Sequence, residues 1–178
     1  MLNKVKQLLA INLNKKEIAI DATIGNGHDT LLLTNLISEG FVYGFDIQDI
    51  AIENTTKLLT EHHKTNYQLF KLSHERMLEV LPNLIGKVKA IVFNLGYLPN
   101  GDKNITTNYK TTIRAIENSL TLLNKDGICL IVVYPGHKEG LKESIEINKF
   151  LKKLKSYTIN YYYNTDNKEA PYLISIKK

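Results

Sequence analysis

A short glycine-containing loop near the start of the chain combines backbone freedom with two carboxylates. It reads D-A-T-I-G-N-G-H-D-T from Asp21 to Thr30. Gly25 and Gly27 permit positive φ and a close backbone approach, and a helix that begins here would present free N–H groups to a ligand. A dinucleotide-binding loop carries a third glycine where this chain has Thr30, and Asp29 would repel a pyrophosphate. The loop therefore favours a cationic, nucleotide-like ligand over a nicotinamide dinucleotide.

Polar residues that follow the next two strand-like segments extend this candidate site. Asp46 ends the second segment about twenty residues beyond the loop, where an acidic side chain accepts hydrogen bonds from ribose hydroxyls. Gln48 adds another polar contact, and Ser73 and His74 follow the third segment, where folds of this kind contact an adenine ring. The residues that we expect to bind the ligand are Asp21, Thr23, Gly25, Asn26, Gly27, Asp29, Thr30, Asp46, Gln48, Ser73, His74 and Asn94.

A second loop, Asn94-Leu95-Gly96-Tyr97, has the spacing of the N/D-P-P-Y motif of amino-group methyltransferases. In that motif the side-chain oxygen and the next backbone carbonyl accept hydrogen bonds from the target amine, while the aromatic ring supports the base. Here Leu95 and Gly96 replace the two prolines, so the acceptor and the ring are kept but the rigid loop shape is not. The alternative is an ordinary turn with Tyr97 in the core.

A third block, Y-P-G-H from Tyr134 to His137, follows the fifth strand-like segment and should lie beside the second loop. Histidine is the side chain that titrates nearest to neutral pH, which makes His137 a candidate base for an amine that is protonated in water. The alternative is a solvent-exposed histidine at the start of a helix. We expect Asn94, Tyr134 and His137 to be the catalytic residues.

The apolar pattern supplies a scaffold for these loops, because short strand-like runs alternate with longer helical ones. The helical stripes are Leu32, Leu33, Leu36 and Ile37; Ile113, Ile116, Leu120 and Leu123; and Leu141, Ile145, Phe150, Leu151 and Leu154. The predicted strands are 17–22, 41–46, 67–72, 88–95 and 127–134, followed by an antiparallel hairpin over 156–164 and 170–178. A helix in the N-terminal segment is expected to lean on the sheet, and a mobile arm is the alternative.

Five strand–helix steps followed by a terminal hairpin are the arrangement of the class I S-adenosylmethionine-dependent methyltransferases. We therefore expect an α/β fold with a Rossmann-like, doubly wound, mostly parallel seven-stranded sheet and an antiparallel last strand. A chain of 178 residues with 43% apolar content can bury one substantial core. Residues 1–178 should accordingly form a single domain.

Composition restricts the cellular setting and the partners. No segment approaches the roughly 18 consecutive apolar residues of a membrane helix, and the N-terminal segment lacks the apolar run of a signal peptide, so we expect a cytoplasmic protein without a membrane partner. Cys129 is the only cysteine, which excludes internal disulfides and cysteine-based zinc sites, and no metal site is expected. The net charge of +5 is compatible with RNA, although the nucleotide composition of the genome is an alternative cause.

The blocks described above, together with paired threonines at 106–107 and 111–112, follow one another at a distinctive spacing. Their order resembles that of the small bacterial methyltransferases labelled rRNA methylases, and the resemblance covers nearly the whole chain. Within that family the chain is similar to enzymes that act on the wobble uridine of tRNA. The resemblance implies transfer of a methyl group from S-adenosylmethionine to 5-aminomethyl-(2-thio)uridine, giving 5-methylaminomethyl-(2-thio)uridine.

This implied substrate suggests further contacts. A wobble base must leave the anticodon stack to reach the methyl donor, and aromatic rings at Tyr97 and Tyr134 suit such a base. Basic side chains near the same loops are candidates for phosphate contacts. The residues that we expect to bind the tRNA anticodon loop are Leu95, Gly96, Tyr97, Lys103, Arg114 and Lys138. The alternative for the basic residues is that they lie on solvent-exposed helix faces. A homodimer is a possible assembly.

Other functions remain as alternatives at this stage. Within the same enzyme class, the substrate is instead a base nitrogen of rRNA or another RNA. In a different class, the chain is a catalytically silent RNA-binding module. A nicotinamide dehydrogenase ranks third, because Thr30 replaces the third glycine.

Overall fold

Within residues 1–97 and 106–178, which the computed structural model describes, seven strands form one sheet. The strands are β1 (Ile18–Asp21), β2 (Phe41–Asp46), β3 (Tyr67–Lys71), β4 (Val88–Asn94), β5 (Leu123–Val133), β6 (Thr158–Tyr163) and β7 (Tyr172–Lys177). The α-helices are α1 (Leu2–Asn12), α2 (His28–Leu36), α3 (Asp49–Glu61), α4 (Met77–Val80), α5 (Tyr109–Leu122) and α6 (Lys138–Leu151). Short 3₁₀ turns cover His74–Arg76 and Pro82–Leu84.

The strand order creates a crevice for a ligand. The order is β3-β2-β1-β4-β5-β7-β6, in which β7 runs antiparallel to both of its neighbours. After β3 the chain returns to the other side of β1 and enters β4, so the strand order reverses between β1 and β4. Open α/β sheets bind ligands at the carboxyl ends of the strands beside such a reversal. The expected doubly wound sheet with an antiparallel last strand is confirmed.

The observed strands begin and end within two residues of the predicted bounds, except at the start of β5. The strand was expected to begin at Gly127, but it begins at Leu123, which was predicted to lie on the stripe of the preceding helix and instead pairs with Val88 of β4. The register then shifts, and pairing resumes between Ala90 and Ile128. This register shift interrupts the alternation of apolar and polar residues along β5. The sequence pattern therefore predicted only the regular part of the strand, after the shift.

Apolar side chains cover both faces of the sheet. On one face Val5 and Leu9 of α1 pack with Leu33 of α2 against the central strands, which confirms that the N-terminal helix leans on the sheet. On the other face, Phe93 and Ile116 belong to the larger cluster under α5 and α6. No helix in the described part of the chain is both long and apolar enough to cross a bilayer.

Helix α6 buries only part of the apolar stripe that was expected to face the core. Leu141 and Ile145 were predicted to be buried, but they are 52% and 46% exposed. The buried positions include Glu143 and Ser144, whose side chains form hydrogen bonds with hydroxyl groups of other elements. The stripe predicted the later positions correctly, since Leu151 is buried and Phe150 and Leu154 pack against the core. It failed in the first turns because polar residues with dedicated partners occupy the inner face there.

Candidate active site

A cavity of about 860 Å³ lies at the carboxyl edge of the sheet. This volume falls within the usual range of small-molecule sites, roughly 300 to 1,000 Å³. Residues after β1, β2 and β3 line one part, and residues after β4 and β5 line the other. The expected site residues that line it are Thr23, Gly25, Asn26, Asp29, Asp46, Gln48, Ser73, His74, Asn94, Leu95, Gly96, Tyr97, Tyr134 and His137.

The first loop has the backbone conformation that its glycines were expected to permit. Gly25 has a φ of 55° and Gly27 a φ of 82°, both in the left-handed region. Gly27 precedes α2, and a Cβ atom there would lie 2.6 Å from the Thr55 hydroxyl oxygen of α3. Gly27 itself does not line the cavity. The absence of a side chain at Gly27 lets the loop pack against α3, and contact of this residue with the ligand stays a prediction.

Asp21 and Thr30 form a buried hydrogen bond that supports the loop on the side away from the cavity. Asp21 is 1% exposed, and its carboxylate accepts hydrogen bonds from the Thr30 hydroxyl at 2.6 Å and from the Thr23 backbone N–H at 3.2 Å. Burial, followed by the nearby charge of Asp29, raises the pKa of Asp21 to about 7. Neither Asp21 nor Thr30 lines the cavity. Thr30, which stands in place of a third glycine, supplies a hydroxyl to a buried acid, and direct contact of Asp21 or Thr30 with the ligand stays a prediction.

Asp46 is held by two backbone groups. One carboxylate oxygen accepts a hydrogen bond from Gly25 N–H at 3.0 Å, and the other accepts one from Gln48 N–H at 3.0 Å. A carboxylate has about four lone-pair positions, so two remain for ligand hydroxyls. The side chain is therefore oriented before any ligand binds, in the position expected for ribose recognition.

His74 is a buried, neutral histidine at the edge of the cavity. Its Nδ1 lies 3.2 Å from the Ala22 carbonyl oxygen, to which it donates in the tautomer that satisfies both atoms. Burial lowers the pKa of His74 to about 4, which keeps the ring neutral. Its Nε2 then acts as an acceptor, and it is buried without a hydrogen-bond partner among the described residues. An unused acceptor at this place suits an amino group of a ligand base.

Asn94 stands where the two parts of the cavity meet. Its backbone N–H donates to the Thr23 hydroxyl oxygen at 2.6 Å, and its side-chain Nδ2 lies 3.5 Å from Asp29 Oδ2. Burial raises the pKa of Asp29, whereas the hydrogen bond from Asn94 opposes that rise. With Nδ2 turned towards a carboxylate, the side-chain Oδ1 is available as an acceptor elsewhere in the cavity.

The second loop is shaped by hydrogen bonds to the start of α5. Gly96 N–H donates to the Thr107 hydroxyl oxygen at 2.9 Å, and Thr107 N–H donates to the Gly96 carbonyl at 2.9 Å. Gly96 has a φ of 112°, a value that proline cannot adopt. Tyr97 forms an isolated β-bridge with Thr106. The departure from the two-proline motif therefore corresponds to a different backbone, held by Thr107 instead of by rigid rings.

The Y-P-G-H block forms the start of α6. His137 caps the helix, since its Nδ1 accepts a hydrogen bond from Gly140 N–H at 3.1 Å, and its ring lies 5.9 Å from that of Tyr97. A Cβ atom at position 140 would overlap the Tyr134 carbonyl oxygen, so only glycine fits. In the neutral ring the cap leaves the proton on Nε2 and no free nitrogen lone pair. This cap argues against His137 as a base, and its catalytic role stays a prediction.

Other residues at the cavity escaped prediction. The paired threonines were noted only as a block, yet Thr106, Thr107 and Thr111 line the cavity. Glu169 and Pro171 reach it from the turn between β6 and β7, for which the sequence offered no signal. Burial, and then the charge of Asp29, raises the pKa of Tyr134, which leaves its phenol neutral.

The expected basic contacts lie outside the cavity or outside the described residues. Arg114 is exposed and lies 3.4 Å from Glu75, with which it forms an ion pair. Lys138 is exposed at the first position of α6. Lys103 falls outside the described residues. Within residues 1–97 and 106–178, no group of three or more His, Cys, Asp or Glu side chains is arranged to hold a metal ion.

Comparisons with known proteins agree with this architecture. A crystal structure described as a "putative rRNA-methylase" from Clostridium thermocellum superposes with a TM-score of 0.93 at 37% identity, covering 99% of this chain and 96% of that one. A "putative methyltransferase" from Streptococcus mutans, crystallised in complex with SAH, superposes with a TM-score of 0.87 at 32% identity, covering 99% and 97%. These neighbours confirm the class I methyltransferase fold.

A curated relative and a family model complete the comparison. The relative, from Arabidopsis thaliana, is named "tRNA (mnm(5)s(2)U34)-methyltransferase, chloroplastic", and it is 39% identical over 145 residues. The match covers 76% of this chain and 52% of the relative, so the chain spans about half of that protein's length. The model of the family described as "Putative rRNA methylase" matches residues 42–177. The chain belongs to this family of methyltransferases.

Proposed function

We propose that the protein is an S-adenosylmethionine-dependent RNA N-methyltransferase that acts on the wobble uridine of tRNA. Its substrate would be 5-aminomethyl-(2-thio)uridine and its product 5-methylaminomethyl-(2-thio)uridine. The observation that carries the proposal is the position of Asn94, which lines the cavity and contacts Asp29 through Nδ2, while its amide oxygen accepts no hydrogen bond from residues 1–97 or 106–178. The name of the Arabidopsis relative supports the choice of substrate, although the match covers only 52% of that protein.

The residues of the first three loops fit the proposed cofactor. Asp46 presents oriented carboxylate oxygens for ribose hydroxyls, and His74 presents a buried acceptor for an adenine amino group. Asp29 adds negative charge beside Asn94, where a cationic amino acid moiety would be favoured. When bound, S-adenosylmethionine supplies a methyl group activated on a sulfonium. The SAH bound to the Streptococcus mutans neighbour is its demethylated product, which supports this assignment.

The residues around Asn94 would orient the accepting amine. The Asn94 side-chain oxygen and the Leu95 carbonyl accept its two N–H groups, which points the nitrogen lone pair along the line of the displacement. Alignment of this kind is the main demand of a methyl transfer and is worth several orders of magnitude in rate. The Tyr97 ring, half exposed at the cavity, would support the flipped uracil by stacking.

Protonation of the amine sets a second demand. A primary alkylamine is mostly protonated at neutral pH, and the ammonium form has no lone pair to donate. Because the only acceptor nitrogen of His137 is used in capping α6, we propose that the enzyme binds the neutral fraction of the amine. Arg114 and Lys138 would meet phosphates of the anticodon stem-loop from outside the cavity.

The proposal is tested by direct methylation. Purified protein and S-adenosylmethionine are incubated with tRNA that carries 5-aminomethyl-2-thiouridine, and the nucleosides are analysed by mass spectrometry. We expect the modified uridine to gain one methyl group. Failure of that nucleoside to gain mass, while calorimetry shows cofactor binding, would overturn the choice of substrate.

A second candidate is methylation of a base nitrogen in rRNA. The family description and the description of the Clostridium thermocellum neighbour both favour it. Deletion of the gene and nucleoside analysis of the separated tRNA and rRNA pools would decide between the two substrates. A third possibility, a silent RNA-binding module, predicts no heat of binding when S-adenosylmethionine is titrated into the protein.

A further inference from the structure

Helix α6 carries a carboxylate that is buried beneath the second loop. Glu143 is 2% exposed, and its two oxygens accept hydrogen bonds from the hydroxyls of Thr112 at 2.6 Å and of Thr107 at 2.8 Å. The ion pairs formed within residues 1–97 and 106–178 do not include it. A buried carboxylate without a cation is costly, so the hydroxyl groups that satisfy it have a defined orientation.

The carboxylate determines the direction of the Thr107 hydroxyl. A hydroxyl has one hydrogen, and Thr107 donates it to Glu143. The oxygen of Thr107 is therefore left as an acceptor, and it receives the N–H of Gly96 at 2.9 Å. The chain of hydrogen bonds thus runs in one direction, from Gly96 through Thr107 to Glu143.

The Gly96 N–H belongs to the same peptide group as the Leu95 carbonyl. A trans peptide is planar, and its N–H and C=O point in opposite directions. No cis peptide occurs in the described part of the chain. Fixing the Gly96 N–H on Thr107 consequently fixes the direction of the Leu95 carbonyl, which is one of the two acceptors assigned above to the amine.

We propose that Glu143 is a positioning residue, which acts through Thr107 to aim the Leu95 carbonyl at the methyl-accepting amine. The inference rests on the proposed function for the role of that carbonyl. Glu143 is not among the residues that line the cavity. Burial raises its pKa, and the hydroxyls of Thr112 and Thr107 oppose that rise, as does His137. These hydroxyls favour the anionic form, which is the form that accepts from both of them.

The test compares variants of this chain of hydrogen bonds. Glu143→Gln replaces one acceptor by a donor, Thr107→Val removes the hydroxyl, and Thr107→Ser restores it. The control is Glu146→Gln on the same helix, where the carboxylate pairs with exposed Lys149 at 2.7 Å. The readouts are kcat, KM for tRNA, the cofactor dissociation constant, and the hydrogen exchange rate of the Gly96 amide.

We expect Glu143→Gln and Thr107→Val each to lower kcat by about tenfold or more, with KM and cofactor affinity within about twofold of wild type. Thr107→Ser and Glu146→Gln should keep kcat near wild type. The double variant Glu143→Gln/Thr107→Val should be no slower than either single variant, because both break one chain. Wild-type kcat in Glu143→Gln, additive losses, or a parallel loss of cofactor affinity would each overturn the proposal.

Two further outcomes are decisive as well. If Glu143→Gln does not fold, the comparison of Thr107→Val with Thr107→Ser decides, since only a loss in the first that is absent in the second supports the proposal. If wild-type protein methylates no tRNA, the proposed function fails, while Gly96 exchange still tests the contact. Exchange faster by about tenfold in Glu143→Gln would support the positioning of the loop, and unchanged exchange would refute it.

Discussion

The backbone N–H of Asn94 donates a 2.6 Å hydrogen bond to the hydroxyl of Thr23. This contact joins the loop after β4, which is proposed to hold the amine, to the loop after β1, which is proposed to hold the cofactor. The same threonine donates its own backbone N–H to buried Asp21. The two parts of the cavity are therefore joined by a hydrogen bond at the point where β1 and β4 lie side by side.

Removal of the Thr23 hydroxyl should weaken both functions of the cavity. In Thr23→Val the Asn94 N–H loses its acceptor, and an unsatisfied buried group costs about 1 to 3 kcal/mol. We expect cofactor affinity and kcat to fall together by roughly tenfold, as measured by calorimetry and by methyl transfer. Thr23→Ser keeps the hydroxyl and serves as the control. A Thr23→Val protein with wild-type affinity and kcat would contradict this connection.

Loss of the Asp46 carboxylate should mainly affect cofactor binding. Asp46→Ala removes the acceptor of two backbone N–H groups together with the proposed ribose contact. We expect the dissociation constant for S-adenosylmethionine to rise by about tenfold to a hundredfold, because charged hydrogen bonds contribute about 1.5 to 3 kcal/mol each. Asp49→Ala, which removes an exposed surface partner of Lys71, is the matched control. Equal affinities in the two variants would exclude the ribose role.

Loss of the Asn94 side chain should separate turnover from cofactor binding. Asn94→Ala keeps the backbone hydrogen bond to Thr23 but removes the proposed acceptor of the amine. We expect kcat to fall by about a hundredfold while the cofactor dissociation constant stays within about threefold. Single-turnover methylation and calorimetry measure the two quantities. Normal turnover in this variant would show that the amine binds elsewhere.

Substitution of His137 tests whether this ring is a base or a cap. Asparagine is a good helix cap, so His137→Asn should retain most of the kcat and an unchanged pH–rate profile. His137→Ala should lose about 1 kcal/mol of folding stability, as measured by urea unfolding. Disappearance of one limb of the pH–rate profile in His137→Asn would restore the role of His137 as a base.

The buried acid Asp21 should make folding stability depend on pH. Its pKa is raised from 3.8 to about 7 in the folded protein, so the folded state binds the proton more tightly than the unfolded chain. The resulting stabilisation is fully present below the unfolded pKa and is lost as the pH rises through about 7.

The measurement for Asp21 uses urea unfolding at about pH 5 and about pH 8. The Asp21→Asn side chain has no proton to release. The stability of this variant relative to wild type should therefore increase as the pH rises. Asp126→Asn, which changes an exposed side chain, should track wild type at both values. A difference between Asp21→Asn and wild type that stays constant with pH would contradict the raised pKa.

The sequence by itself determined the strands, most helices and the loops that line the cavity, because hydrophobic period and turn residues are local properties. The prediction for β2 matched residue for residue, and the Gly25 and Asn94 loops were found at the ends of their strands. Family membership followed from the same local blocks. The roles of the individual site residues, by contrast, stay predictions.

Only the tertiary structure decided which polar groups line the cavity and which lie behind its wall. Asp21 and Asp29 flank the same loop in sequence, yet only Asp29 lines the cavity. From the sequence, Glu143 is indistinguishable from a solvent-exposed helix residue. In the structure it is buried and accepts hydrogen bonds from hydroxyls 31 and 36 residues earlier in the chain. Burial and hydrogen-bond partnership depend on such long-range contacts, which no local period records, and they decide the direction in which each polar group donates or accepts.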